Sequence, residues 1–286
     1  MEDWPTGRIE RVAPGVRRLL APNPSPFTFT GTQTYVVGEA EVAVIDPGPA
    51  DPAHLGALLA ALAGERIAAI LCTHTHRDHS PASRPLAAST GAPIVGCAPV
   101  AMAADDGPRA DEAFDPDYRP NRILVDGETI GGQGWRLTAV ATPGHTSNHL
   151  CFALDGTGIL FTGDHVMGWS TTVVAPPDGD MADYMASLDT LLARDDAVYF
   201  PAHGPAVTEP RAHVASLVEH RRERERQILA RLEAGEGQIP DIVRSIYLGL
   251  DPRLGGAAGR SVLAHLIDLR RRGLVDEEPG GGWSLR

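Results

Sequence analysis

The chain has 286 residues, 43% of them apolar, enough to bury a full core in one large domain or in a large domain with a small one beside it. No window approaches a membrane span, and the opening MEDWPTGRIERVAPGVRRLLAPNPS lacks the apolar stretch of a secretory signal, so the expected address is the cytoplasm. The net charge of −12 is uneven: residues 1–210 hold 12 arginines against 26 acidic residues and residues 211–286 hold 13 against 11, so the acidic body argues against general polyanion binding.

In chain order, Thr34–Val44 reads as two short strands around a turn, stopped by Ile45-Asp46-Pro47-Gly48, and is expected to start the fold. Asp51 is a helix cap for an Ala- and Leu-rich helix from Pro52 to about Leu62, and AAILCTHTH follows as a buried strand entering a polar loop. Helices are expected at 80–90 and 181–194, with further apolar strands in WRLTAVATPGH, HLCFAL, GILFTGD and AVYFPAHG. Cys72, Cys97 and Cys151 sit singly in such stretches, with neither disulfide nor zinc-finger spacing, and are expected to be buried thiols. A sheet-rich core covered by helices is the economical architecture.

In Thr73-His74-Thr75-His76-Arg77-Asp78-His79 four candidate ligands lie within six residues after a strand. His74 and His76, two apart in extended chain, point to one side, whereas Asp78 and His79 are displaced towards a second point. That spacing suits two cations, with His145, Asp164 and His203 completing the shells. Imidazole and carboxylate favour zinc, with iron or manganese as alternatives, and such ions typically lie roughly 3.5 to 4 Å apart.

After Gly204 the composition shifts. One long charged helix runs to Glu233, followed by a helix in QIPDIVRSIYLGL, another in AGRSVLAHLIDLRRRGLVDEE and a Gly-rich hairpin in PGGGWSL, in the order of a winged helix. The expected division is residues 1–209 and 210–286. An apolar face on the helix from Pro210 to Glu233 would suit a homodimer. The alternatives for the tail are nucleic-acid binding through Arg260, Arg270, Arg271 and Arg272, or a module that shapes the active-site edge; the acidic residues Asp276 to Glu278 beside these arginines favour the second.

The HxHxDH run, with PGHT, FTGDH and PAHG at three further strand ends and the IDPG turn, resembles the metallo-β-lactamase superfamily. The resemblance implies an α/β fold, a four-layer αβ/βα sandwich with metals at one edge. It makes His74, His76 and His145 ligands of a first metal and Asp78, His79 and His203 ligands of a second, with Asp164 between them and Asp46 in support. It also implies hydrolysis by a hydroxide bridging the metals, since a water shared by two cations has its pKa lowered to about 7. Asp78 would orient that hydroxide and move its proton.

The particular branch resembled is that of β-lactamase-like protein 2, which carries a C-terminal winged helix; NPSPFTFTGTQTYVVG, THTHRDHSPA, TPGHTSNHLCF, GDHVMGWSTTV and the DYMASL helix carry the likeness, although Gln33 replaces the more usual Asn. Zinc β-lactamases of the commonest type place Cys where Asp164 stands. Nucleases with a large inserted cap need far more than the 39 positions separating Asp164 from His203. Three readings follow: a hydrolase of a small ester, thioester or lactone; a single-strand-directed endoribonuclease, as animal members of the branch are described; and a metal-binding regulator without catalysis. Ser170, Thr171, Thr172 and Tyr184 are candidates for substrate contact, His165 for a supporting place beside the metals, and His149 for the core.

Overall fold

The computed structural model describes residues 4–100 and 114–286. The chain opens on a hairpin, β1 (Ile9–Ala13) with β2 (Val16–Leu20), so the hairpin expected at Thr34–Val44 is the second one, β3 (Gln33–Glu39) with β4 (Glu41–Ile45). The first hairpin is hidden in the sequence because Arg17 and Arg18 interrupt its apolar pattern. Their guanidinium groups are tied to Glu65 and to Glu10, which lets the strand lie in the sheet.

Asp51 caps α1 (Pro52–Ala61), accepting the His54 N–H at 2.8 Å, and proline at the first turn needs no donor partner. β5 (Arg66–Cys72), α2 (Ser83–Thr90), β6 (Ile94–Gly96) and β7 (Arg122–Ile123) complete a seven-stranded sheet in chain order, parallel from β4 to β7. A second sheet runs β12-β11-β10-β9-β8, from β8 (Thr129–Gly132), β9 (Trp135–Ala141), β10 (Leu150–Leu154), β11 (Ile159–Gly163) and β12 (Val198–Pro201). α3 (Met181–Leu192) is the crossover between parallel β11 and β12.

The two sheets face each other across one core, where Tyr35 of the first meets Phe161 and Phe200 of the second at 5.1 and 5.6 Å between ring centres. α1 and α2 cover the outer face of the first sheet. α3 and α4 (Pro210–Glu233) cover the second, through Tyr184, Leu188, Val214 and Leu217. This is a four-layer αβ/βα sandwich, as the resemblance implies. Cys72, Cys97 and Cys151 are free and buried.

The far end of α4 enters a separate small core through Ile228 and Leu232, together with α5 (Ile239–Ile246), α6 (Gly255–Arg271) and the hairpin β13 (Val275–Glu277) with β14 (Trp283–Leu285). Both stretches of apolar surface on α4, the expected basis of a dimer, are therefore covered by the chain itself. The winged-helix arginines also bond internally. Arg260 donates to the Pro176 carbonyl at 3.0 Å, Arg271 pairs with Asp180 at the start of α3, Arg270 with Glu277 at 2.5 Å, and Arg272 with Glu225 and Asp268. No helix among the described residues is long and apolar enough to cross a membrane.

Candidate metal centre

Five strands stop at one edge of the sandwich, and each hands a polar side chain to the same place: Asp46 follows β4, His74 to His79 follow β5, His145 follows β9, Asp164 follows β11 and His203 follows β12. Beyond β5 the chain bends at Thr73 and His74, bridges to Phe114 at His76 and then turns, the His79 and Ser80 N–H groups donating to the His76 carbonyl at 3.0 and 3.1 Å. That turn carries Asp78 and His79 away from His74 and His76. Gly163 gives the end of β11 its close approach: at φ +49° a Cβ there would lie 2.7 Å from His149 Nε2 and Thr73 Oγ1.

Two clusters result. His74, His76, His145 and Asp164 bring one potential ligand atom each within 4.8 Å of one another, and so do Asp78, His79 and His203. His74 Nε2 and His145 Nε2 lie 2.9 and 3.1 Å from His76 Nδ1. Asp164 joins the clusters: Oδ2 is 3.6 Å from His145 Nε2, and Oδ1 is 3.2 Å from His203 Nε2 and 3.5 Å from His79 Nε2. Asp78 Oδ2 is 3.2 Å from both His79 Nε2 and His203 Nε2.

The remaining nitrogens of these rings are fixed from outside. Asp46 Oδ2 lies 3.0 Å from His79 Nδ1 and accepts the Thr73 hydroxyl at 2.8 Å, while Oδ1 accepts the Thr73 N–H at 2.8 Å. Thr73 Oγ1 in turn lies 3.0 Å from His74 Nδ1. One carboxylate thus orients a ring in each cluster, a role in which metal sites commonly use carboxylates. His145 Nδ1 donates to the Val173 carbonyl at 2.6 Å and His203 Nδ1 to Gly31 at 3.3 Å, so their Nε2 atoms face inward. Thr32 donates its hydroxyl to Asp78 Oδ2 at 2.9 Å.

The charges divide by cluster. Burial, reinforced by neighbouring imidazoles, holds His74 well below its ordinary pKa and His76 at about 3, so both are neutral. Burial works the same way on His79 and His203, but the Asp78 and Asp164 carboxylates outweigh it, lifting His79 and pushing His203 up to about 10. The two carboxylates are held well below their usual range by the same imidazoles, against their own burial.

This donor set fits divalent cations. His79 Nε2 and Asp164 Oδ1 are buried yet make no hydrogen bond among the described residues, and His74 Nε2 and His145 Nε2 both converge on His76 Nδ1, which can offer them at most one proton. Metal ligation takes neutral imidazoles and ionised carboxylates, so His79 and His203, which the carboxylates hold protonated, would each give up a proton to a cation.

The other candidates fall into three places. Thr172 lines the metal cavity, but its hydroxyl donates to the Asp164 and His165 carbonyls at 2.6 and 3.1 Å; Ser170 and Thr171 line an adjoining cleft. Tyr184 is fully buried and donates to the His165 carbonyl at 3.2 Å, bracing the loop that carries Asp164. His165 packs on the Tyr184 ring at 4.9 Å, with no hydrogen-bond partner for either nitrogen among the described residues. His149 accepts the Asp164 N–H at 3.2 Å, and Gln33 donates to the Pro201 and Gly204 carbonyls on either side of His203.

Over the centre lies a cavity of about 310 Å³, with walls of Phe27, Met167, Val173, Ala175 and the winged-helix residue Ala257. Sequence reasoning missed Thr73, Thr32 and these walls. A hydroxyl in a strand or loop carries no signal of its own, and Ala257 reaches the cavity only through folding.

A double-sheet scaffold with strand-end histidines and aspartates defines a metallohydrolase type of protein. The chain belongs to the metallo-β-lactamase superfamily: that family's description, "Metallo-beta-lactamase superfamily", matches residues 27–203, and "Beta-lactamase associated winged helix domain" matches residues 239–283. The chain is 31% identical to the beta-lactamase-like protein 2 homolog of Drosophila melanogaster, over 93% of this chain and 91% of that one. It is 32% identical to an atrochrysone carboxyl ACP thioesterase of Aspergillus chevalieri, over 85% of this chain and 76% of that one. Among solved structures, a beta-lactamase domain protein from Burkholderia ambifaria shares the fold with a TM-score of 0.82 at 22% identity, covering 100% of this chain and 96% of that one.

Proposed function

We propose that this hydrolase cleaves acyl thioesters, using two divalent cations, zinc first and iron or manganese as alternatives, held by His74, His76 and His145 and by Asp78, His79 and His203, with Asp164 shared. The observation that carries the reading is the cavity, whose floor is the donor set and whose walls are apolar side chains fitted to an acyl group. A relative named as a carrier-protein thioesterase supports thioesters over plain esters and lactones.

When bound, the cations would supply an acidified water and polarise the substrate carbonyl. The chain's own residues do the rest. Asp78, fixed by Thr32 and partly open to the cavity, accepts a proton from the attacking water as its oxygen bonds to the carbonyl carbon. The C–S bond breaks, the sulfur leaves and takes that proton, and a carboxylic acid remains. Phe27, Met167 and Ala257 hold the acyl group and exclude bulk water.

The internal bonding of Arg260, Arg270, Arg271 and Arg272 favours this reading over RNA cleavage, because it leaves those groups engaged within the chain. The complete donor set favours an enzyme over a regulator. The free, buried cysteines fit a reducing, cytoplasmic address.

The test is a panel of acyl thioesters, oxygen esters, lactones and fluorescent single-stranded RNA with metal-loaded protein, and Asp78→Ala prepared identically. Thioester hydrolysis reduced about 10²- to 10⁴-fold in the variant is the expected result. RNA cleavage lost in the variant, with thioesters untouched by either protein, would overturn it.

A further inference from the structure

A second group of buried polar atoms without hydrogen-bond partners among the described residues lies away from the metal donors: Arg221 Nε, Arg224 Nε and His220 Nδ1 on α4, and both ring nitrogens of His265 on α6. Arg221 is only 3% exposed. Its guanidinium meets the Thr172 carbonyl and lies 5.1 Å from the centre of the Tyr184 ring. Arg224 donates to Gln227 Oε1 and to the Ile246 carbonyl and lies 4.1 Å from the Tyr247 ring. Neither pairs with a carboxylate among the described residues. A buried cation without a counter-charge is costly, and a half-buried second one a helical turn away adds to the cost. The histidines add no charge: burial, and after it the two arginines, holds His220 at about 4 and His265 at about 3.

Arg221 and His220 open onto a cleft of about 180 Å³ lined also by Ser170, Thr171 and Ser261. This cleft shares Phe27, Met167, Thr172, Val173 and Ala257 with the metal cavity, so the two adjoin. The wall between them is one loop: Val173 receives the His145 ring, and Thr172 grips the Asp164 carbonyl with its hydroxyl and Arg221 with its own carbonyl.

We propose that this cleft is an anion subsite, taking a single phosphate or carboxylate that the substrate carries at a distance from the bond being cut. The proposal rests on the thioester reading. Arg221 lines the cleft and supplies the charge, Arg224 adds to it from the next turn of α4 behind Tyr247, and Ser170, Thr171 and Ser261 supply the hydroxyl donors. One buried and one half-buried arginine beside an acidic body suit one anionic group and not a polyanion track.

The test compares KM values of metal-loaded protein for substrates that differ only in charge. One arm sets butanoyl-4′-phosphopantetheine against butanoyl-pantetheine, placing a phosphate on the thiol side. The other sets succinyl-pantetheine against butanoyl-pantetheine, placing a carboxylate on the acyl side. Preference for the charged member of one pair by about tenfold or more is expected, falling towards one in Arg221→Gln and lessened in Arg224→Gln. The arm that responds identifies the source of the anion. Arg224 is half-buried, so its variant carries the test if Arg221→Gln does not fold. Equal KM values in both arms, or a preference that survives both substitutions, would overturn the subsite. If no thioester is cleaved at all, the proposed activity fails separately, and calorimetry of 4′-phosphopantetheine and succinate on wild type and Arg224→Gln decides the subsite: weaker binding to the variant supports it, equal binding overturns it.

Discussion

Asp46→Asn changes one terminal atom and almost no volume, in a side chain that is 2% exposed and receives three polar contacts. Asp46 sits at φ +48°, a left-handed conformation that Asn tolerates well, so the substitution isolates the chemistry of the carboxylate from backbone strain. The amide oxygen can still accept the Thr73 N–H. The amide nitrogen then occupies the place of Oδ2, facing the Thr73 hydroxyl and His79 Nδ1, and it can only donate. His79 must therefore accept at Nδ1 and carry its proton on Nε2, the atom needed for the second cation. Flipping the amide would keep an acceptor for the Thr73 hydroxyl and His79 Nδ1 but set its nitrogen against the buried Thr73 N–H, two donors facing each other.

Losing two charge-assisted bonds at about 1.5 to 3 kcal/mol each places the stability loss at about 3 to 6 kcal/mol before relaxation. Loss of a ligand-orienting partner places the fall in affinity for the second cation at about 10- to 100-fold, and a wrong tautomer takes it towards the upper end. Metal content by plasma mass spectrometry, thermal unfolding and kcat/KM measured together check this. A variant that holds two cations as tightly as wild type, with a comparable rate, would refute the argument that Asp46 sets the His79 tautomer.

Thr32→Val removes the hydroxyl donated to Asp78 Oδ2 and is expected to lower kcat by roughly fivefold to tenfold, the worth of about one hydrogen bond, with metal content unchanged by the same mass spectrometry. Gly163→Ala forces a Cβ against His149 and Thr73 at φ +49° and should destabilise the protein by about 1 to 3 kcal/mol in urea unfolding, with loss of metal. His203 is lifted above its ordinary 6.5 to about 10, so in metal-free protein its ion pairs contribute fully below about pH 6.5 and are lost as pH rises towards 10. The melting temperature of metal-free protein should fall over that window, and His203→Gln should flatten the fall; an unchanged profile would count against the pairing. Arg271→Ala, removing a surface pair to Asp180 that is 57% exposed on the arginine side, should cost less than about 1 kcal/mol in the same unfolding assay.

The candidate donor residues were legible because each follows an apolar run that had to be a strand; the bend at Thr73 and His74 that aims the first two rings was not. The winged helix was legible for a similar reason, its helix, helix and Gly-rich hairpin each carrying a local signal. The first hairpin was not, since its arginines mask a strand whose neighbours neutralise them. Neither were Thr73 and Thr32, whose hydroxyls acquire meaning only from Asp46 and Asp78 arriving from distant strands. Ser170 and Thr171 follow FTGDHVMGW closely yet line the adjoining cleft, because the loop turns there and its carbonyls are taken by His145 and Arg221. Arg221 itself reads as one more charge on a long polar helix until α4 is packed against that loop.

The most direct test of the central claim is the number of cations bound by freshly demetallated, then titrated, protein, followed by calorimetry and mass spectrometry in wild type, His76→Ala and His203→Ala. Two cations per chain in wild type and about one in each variant, lost from different steps of the titration, is the result the account predicts. A single cation in wild type, or two that neither substitution disturbs, would contradict a binuclear centre built on these seven side chains.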